Sequence, residues 1–236
     1  MPRATHAHKP VDVEKLERSL LWALKHGLPA GELVAMLRPL VRHTDETSAR
    51  GLLARLQLGE QLLVCPAQSP QRFTAAQCAW EAAGWLRKIL TQLNLQGELN
   101  YGSSPRTSEL RARGEAAFGM ACSILGHYRA AKRAYLRGLR EDPENAVAAH
   151  NLGHLLATQL RAPAASLVWL QKAHVALPGN PEVAASLAHA LVQLGQCDRA
   201  VALLTRALGS PADANRWVQR WRSSGAPTPE RAAAGE

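Results

Sequence analysis

The stretch LGHYRAAKRAYLRGLREDPEN, residues 125–145, determines how the rest of the sequence is interpreted. Ala131 and Tyr135 are four positions apart, so a small and a large apolar residue share one helix face. Gly126 suits a turn before this helix, and Pro143 suits a stop after it. The stretch therefore predicts an amphipathic helix bounded by two turns.

The same pattern occurs three times, with starts that recur about every 34 residues, the period of a helix–turn–helix repeat. One place in the first helix of each unit holds a small residue: Gly119, Gly153 or Ala188. A small residue there lets the second helix approach closely. The aligned stretches are 117–145, 151–180 and 186–213.

These residues resemble the tetratricopeptide repeat (TPR) family, and HNLGHLLA (150–157) is also close to its consensus. The resemblance covers about residues 112–212. The middle unit departs from it, with Leu160-Arg161 and one extra residue where the other units have a glycine turn. The resemblance implies an α-solenoid whose first helices line a concave groove that binds peptides or protein segments.

The composition supports an all-α fold. The chain has 42 Ala and 36 Leu but 12 Val and 2 Ile, and Ala and Leu are the stronger helix formers. We expect about three TPR-like hairpins and a capping helix, preceded by an N-terminal helical region. The expected segments are a disordered N-terminus (1–11), the helical region (12–94), a linker (95–106), the repeats with their cap (107–223) and a disordered tail (224–236).

The N-terminal region shows no consensus repeat. It is either a set of degenerate hairpins that continue the solenoid or a separate small bundle. One of its helices is predicted over residues 46–58 and ends at Gly59, and Pro66 marks a loop after it. Near the other end of the chain, Trp217 and Trp221 are four apart and face one side of the predicted capping helix.

The chain carries a formal net charge of +9, which favours an acidic partner. Nucleic acid is less favoured, because Tyr128 and Tyr135 occupy packing positions and are not free to stack on bases. The basic residues concentrate on one predicted helix, either as a solvated outer face or as a binding patch. This basic face comprises Arg129, Lys132, Arg133, Arg137 and Arg140.

The predicted groove contains a histidine pair. His150 and His154 have the i, i+4 spacing of a helical metal pair, and His189 is equivalent to His154 one unit later. No Glu lies between the first two as in HExxH, so polar groove lining is the preferred interpretation, with no metal and no cofactor. The groove candidates are Arg113, Met120, His150, Asn151, His154, Ala157, His189, Val192 and Gln193.

The resemblance to the TPR family implies a non-enzymatic adaptor or scaffold that captures a protein segment in its groove. No GxSxG, GxxxxGK[ST] or GxGxxG motif is present, and no catalytic residue is predicted. The alternatives are a chaperone of the bacterial secretion or pilus-assembly type and a nucleic-acid-associated regulator that uses the basic face. We expect a cytoplasmic protein without a membrane span, which is a possible homo-oligomer.

Overall fold

The computed structural model describes residues 12–68, 74–99 and 105–223, so the segments predicted as disordered, 1–11 and 224–236, lie outside the described residues. Within these ranges the chain forms eleven helices and no strand, which confirms the all-α prediction. The helices are α1 (Val13–Lys25), α2 (Ala30–His43), α3 (Ala49–Gln68), α4 (Ala75–Leu99), α5 (Pro105–Ile124), α6 (Tyr128–Glu141), α7 (Ala146–Thr158), α8 (Pro163–Ala176), α9 (Pro181–Gln193), α10 (Cys197–Leu208) and α11 (Pro211–Ser223).

The chain divides into two compact units between Gly102 and Ser103. Helices extend into the stretch predicted as a linker, 95–106, since α4 continues to Leu99 and α5 begins at Pro105. Leu, Gln and Glu in the last turn of α4 are good helix formers, and proline suits the first position of a helix. The predicted linker therefore contains the division between the two units, but its two ends are helical, and residues 100–104 lie outside the described residues.

The first unit contains α1 to α4. Each of these helices packs against the next one along the chain. Its core is built mainly from leucines, and Leu37, Leu56 and Leu86 are completely buried. Burying a side chain of this size contributes about 1.5–3 kcal/mol, so apolar packing of consecutive helices holds the unit together.

Helix α3 corrects the prediction for this unit. It does not stop at Gly59 but continues to Gln68, with Pro66 inside its last turn. A Cβ placed on Gly59 would lie 2.9 Å from the side chain of Leu86 on α4. This glycine therefore permits close helix packing and does not act as a helix terminator.

The second unit contains α5 to α11. Three hairpins, α5–α6, α7–α8 and α9–α10, follow one another, and α11 packs against both α9 and α10. The buried residues Ala214 and Val218 join α11 to the core of the last hairpin. The predicted three hairpins and capping helix are thereby confirmed.

Close packing within the hairpins depends on two glycines. A Cβ on Gly119 would come within 2.7 Å of the Tyr135 ring, and one on Gly153 within 2.6 Å of Leu170. Both distances are below any normal carbon–carbon contact. The prediction that a small residue lets the second helix approach is confirmed at these two positions.

The turn of the middle hairpin has an unusual backbone. Gly126 and Gly195 have φ values of +76° and +75°, in the left-handed region that glycine adopts readily. The equivalent residue of the middle hairpin is Arg161, with φ of +48°. The positive φ is therefore kept without a glycine. The extra residue lies before Arg161, since the N–H of Ala162 donates to the carbonyl six positions back, whereas His127 and Gln196 donate to carbonyls five positions back.

Asparagine side chains fix the starts of α7 and α9. The Asn145 side chain accepts a hydrogen bond from the backbone N–H of Ala148, and Asn180 accepts from those of Glu182 and Val183. An N-cap of this kind contributes about 1 kcal/mol by satisfying N–H groups that have no partner within the helix. The first helices of the second and third repeats are thus positioned independently of a ligand.

None of the four cysteines forms a disulfide. Cys65, Cys78 and Cys122 are buried, and Cys197 is half-buried. Desolvation raises the pKa values of Cys65 and Cys78, and the proximity of Cys78 raises that of Cys65 further. These thiols are therefore part of the core of the unit in which each lies.

Candidate functional site

The candidate site lies along the first helices of the second unit. Helix α7 packs against α5 on one side and α9 on the other, so their exposed sides are continuous. Four of the predicted groove residues, Met120, Asn151, His154 and His189, lie on this side. We call the surface that these four residues define the first-helix face.

A cavity of about 280 Å³ opens between α5 and α7. Met120 and Ile124 supply apolar surface, and Tyr128 lies beside them. Asn151 and His154 supply polar groups from α7. The side-chain amide of Asn151 has no hydrogen-bond partner among the described residues, so its donor and acceptor are both available to a ligand.

A serine links the two histidines of α7 to α9. The Ser186 hydroxyl lies 2.9 Å from His150 Nε2 and 3.3 Å from His154 Nδ1. The two imidazole rings have centroids 6.2 Å apart and are tilted by 52°. His150 therefore connects neighbouring repeats, whereas the Nε2 atom of His154 is not engaged by this serine.

The environment of the three histidines favours their neutral form. Desolvation lowers the pKa of His150, His154 and His189. The charge of a protonated His154 lowers the pKa values of the other two further, and Glu182 opposes this effect at His150. Near neutral pH this surface therefore offers neutral hydrogen-bonding groups.

An aromatic cluster borders the face at its C-terminal end. The His189 ring lies 5.2 Å from the Trp221 ring of α11, and Trp221 lies 5.5 Å from Trp217. Trp217 is 44% exposed, and the Arg220 guanidinium lies over its ring at 5.8 Å. The helix that closes the last repeat therefore also adds surface next to His189.

Two of the predicted groove residues are part of the core. Ala157 and Val192 are only 3% and 2% exposed and pack in the core of the last two repeats. Each lies three positions after a histidine of the face, which rotates it by about 60° around the helix toward the core. Their assignment to the groove was wrong, whereas Arg113 and Gln193 are half-buried.

The basic face contains one residue with a structural role. Arg137 donates from Nε and Nη2 to the two carboxylate oxygens of Glu115, at 2.6 and 2.7 Å. This ion pair joins α6 to α5, and the hydrogen bonds raise the pKa of Arg137. Arg137 therefore already has a partner within the chain, which the prediction of a solvated or partner-binding face did not include. The other members, Arg129, Lys132, Arg133 and Arg140, are exposed and form no ion pair with any described residue.

Two residues at the site were not predicted to belong to it. Ser186 occupies the place in its repeat that Asn151 occupies one repeat earlier, so the alignment contained the signal that could have identified it. Trp221 was assigned to the cap, and it also contacts the histidine side of α9.

Neither a metal cluster nor a membrane span is found in the described ranges. No three His, Cys, Asp or Glu side chains come together there as metal ligands. No helix in those ranges combines the length and apolar character needed to cross a membrane.

Comparison with solved structures places this architecture among known folds. MamA superposes with a TM-score of 0.56 at 15% identity, over 89% of this chain and 99% of that chain. TTC0263, a thermophilic TPR protein in Thermus thermophilus, superposes with a TM-score of 0.52 at 15% identity, over 89% of this chain and 97% of that chain.

The chain has the TPR fold. No protein-family model matches the sequence, and the sequence matches no curated protein. The second unit makes up little more than half of the chain, so a likeness over 89% also includes helices of the first unit. The TPR fold is thus recognised from the arrangement of the helices. A sequence identity of 15% supports a shared fold and nothing beyond it.

Proposed function

We propose that this protein is a non-enzymatic interaction scaffold that binds a segment of another protein on its first-helix face. The observation that carries the proposal is the unpartnered Asn151 amide beside His154 in the cavity between α5 and α7. An amide can accept from a backbone N–H and donate to a backbone C=O of the same extended segment.

The cavity can hold one side chain of such a segment, since its volume is about 280 Å³. Met120 and Ile124 would contact an apolar side chain, while the polar groups of α7 would bind the adjacent backbone. Helices that are already packed would lose little conformational entropy on binding.

We further propose that the bound segment is acidic and that the protein acts in the cytoplasm. Four exposed cations without ion-pair partners in the described part of the chain remain on α6, and the net charge is +9. Such a surface would accelerate association with an acidic partner and would lose this effect as salt screens the charges.

A displayed library of random peptides tests the proposal. The wild-type chain selects binders, and each binder is then measured against Asn151→Ala/His154→Ala. We expect the affinity to fall at least about tenfold, because two hydrogen-bonding groups are removed from the contact. The matched control is His43→Ala/Gln171→Ala, which removes one exposed histidine from α2 and one exposed amide from α8, neither of which lines the cavity.

The control variant should keep the affinity of the wild-type chain. Binders that lose affinity equally with both variants, or with neither, would contradict the assignment of the site. Circular dichroism of each variant establishes that helicity is retained. A library that yields no binder at low or moderate salt would contradict the scaffold function itself.

A further inference from the structure

The first unit contains a second cavity, of about 310 Å³, between the turn before α3, α3 itself and α4. Cationic side chains dominate its charged lining: Arg55, Arg87 and Lys88 face a single carboxylate, Glu46. Leu52 and Ile89 also line the cavity, but they are only 3% and 1% exposed, so they offer little apolar surface.

Arg55 is a buried charge without a bonded carboxylate. It is only 7% exposed, and its guanidinium donates to the backbone carbonyl oxygens of Gly51, Val41 and Thr44 at 2.9–3.1 Å. Two of these carbonyls belong to the C-terminal end of α2, so the hydrogen bonds fix the position of Arg55. Neutral acceptors leave its positive charge in place beside the cavity.

Asp45, whose carboxylate senses the charge of Arg55, is already engaged by other groups. Asp45 Oδ1 accepts hydrogen bonds from the backbone and the hydroxyl of Thr47, at 2.8 and 2.9 Å. These bonds, with a smaller contribution from the charge of Arg55, hold the pKa of Asp45 below its usual range. Arg55 forms no ion pair with any residue that the structure describes.

Two further cations border the cavity from adjacent positions on α4. Arg87 and Lys88 are both exposed, and the Lys88 Nζ lies 5.2 Å from the ring centre of Trp85. Arg87 has no ion-pair partner within the described ranges. Both side chains can therefore turn toward an anion, whereas Arg55 contributes its charge from a fixed position.

We propose that this cavity binds a small organic phosphate, a phosphate monoester carrying a compact apolar group. A phosphate monoester carries nearly two negative charges at neutral pH and has three acceptor oxygens, enough for Arg87 and Lys88 together. The apolar group would lie against the aliphatic parts of the exposed Arg87 and Lys88 side chains. A carboxylate offers one charge and two oxygens, and so matches the three cations less well.

Calorimetric titration of the full chain with phenyl phosphate tests the proposal. We expect saturable binding that inorganic phosphate competes for more weakly, since it lacks the apolar group, and that benzoate does not compete for. Arg87→Ala/Lys88→Ala should weaken the binding of phenyl phosphate at least about tenfold, the effect of losing charge-assisted hydrogen bonds. Both substitutions are on exposed positions, so the fold is preserved.

The control Lys25→Ala/Arg206→Ala removes the same charge from exposed positions elsewhere and should bind phenyl phosphate like the wild-type chain. The proposal is overturned if phenyl phosphate does not bind, if benzoate binds equally well, or if both double variants lose the same affinity. The outcome is separate from the scaffold function, because Asn151→Ala/His154→Ala should leave phenyl phosphate binding unchanged.

Discussion

The ion pair between Glu115 and Arg137 shows how one residue changes role when its surroundings are known. In the sequence Arg137 is one of five cations on a predicted helix. In the structure it is the partner of a carboxylate whose side chain is 7% exposed. Its own side chain is 43% exposed, so water reaches one side of the pair.

Arg137→Met should therefore lower the free energy of unfolding by about 2 kcal/mol. The substitution leaves the carboxylate of Glu115 buried without its cation, but water screens it more than in a fully buried pair, where the loss is about 3–5 kcal/mol. Urea denaturation measures the change. Arg133→Met, at an exposed position without an ion pair in the described chain, should change stability by less than about 0.5 kcal/mol. Equal losses in the two variants would show that the ion pair does not stabilise the fold.

At the scale of the helix, two glycines allow the effect of packing on stability to be measured separately from the effect of helix propensity. One has a crowded environment and the other an open one. Gly153 has Leu170 2.6 Å from its virtual Cβ, whereas nothing lies within 4 Å of the virtual Cβ of Gly84 on α4. Alanine is favoured over glycine in a helix by about 0.8–1.0 kcal/mol.

Gly153→Ala should destabilise the chain by about 1–2 kcal/mol, because overpacking outweighs the gain in helix propensity. Gly84→Ala should stabilise it by about 0.5–1 kcal/mol, since only the propensity changes. Thermal and urea denaturation of both variants give the two values. A stabilising Gly153→Ala would mean that α8 can move away from α7 without loss.

The pairing of the helices could be predicted from the sequence better than their ends and turns. The repeated small residues and prolines determine which helices pair, so the three hairpins and the cap were predictable. Gly59 was misinterpreted because a helix-breaking preference is local, whereas its contact with Leu86 lies across the helix interface. The left-handed backbone at Arg161 could not be predicted, because arginine disfavours this conformation. It follows from the constraints of the turn.

The candidate site was predictable only to the precision of a helix face. The i, i+4 spacing and the repeat alignment identified the histidines, and the resemblance to the TPR family identified Asn151. The prediction also included Ala157 and Val192, because a rotation of only about 60° separates surface from core. The bond between Glu115 and Arg137 connects residues on different helices, which charge patterning within one helix does not reveal. The cavity at Arg55 depends on the packing of three elements and has no counterpart in a motif.

For the whole molecule, the histidines predict how stability depends on pH. His150, His154 and His189 have pKa values lowered by the fold, so the unfolded chain binds protons more readily than the folded chain. Stability from this source is complete above the unfolded pKa of about 6.5 and is lost as the pH falls through the lowered folded values. Acidification from pH 7.5 to 5.5 should therefore lower the free energy of unfolding.

Urea denaturation at the two pH values checks this, with His150→Gln/His154→Gln/His189→Gln as the test variant. Its stability should depend less on pH than that of the wild-type chain, because the groups that take up protons on unfolding are absent. His43→Gln/His127→Gln, at exposed positions, should retain the dependence of the wild-type chain. If the stability of the triple variant depends on pH as strongly as that of the wild-type chain, groups other than these three histidines cause the pH dependence.

The reactivity of the buried cysteines can be used to measure local opening of the helices. A thiol-modifying reagent can reach half-buried Cys197 most readily, whereas Cys65, Cys78 and Cys122 become reactive only when the surrounding helices separate. Cys65 and Cys78 belong to the first unit and Cys122 to the second. The modification rate of each buried thiol therefore records the opening of the unit in which it lies, without a label or an engineered residue.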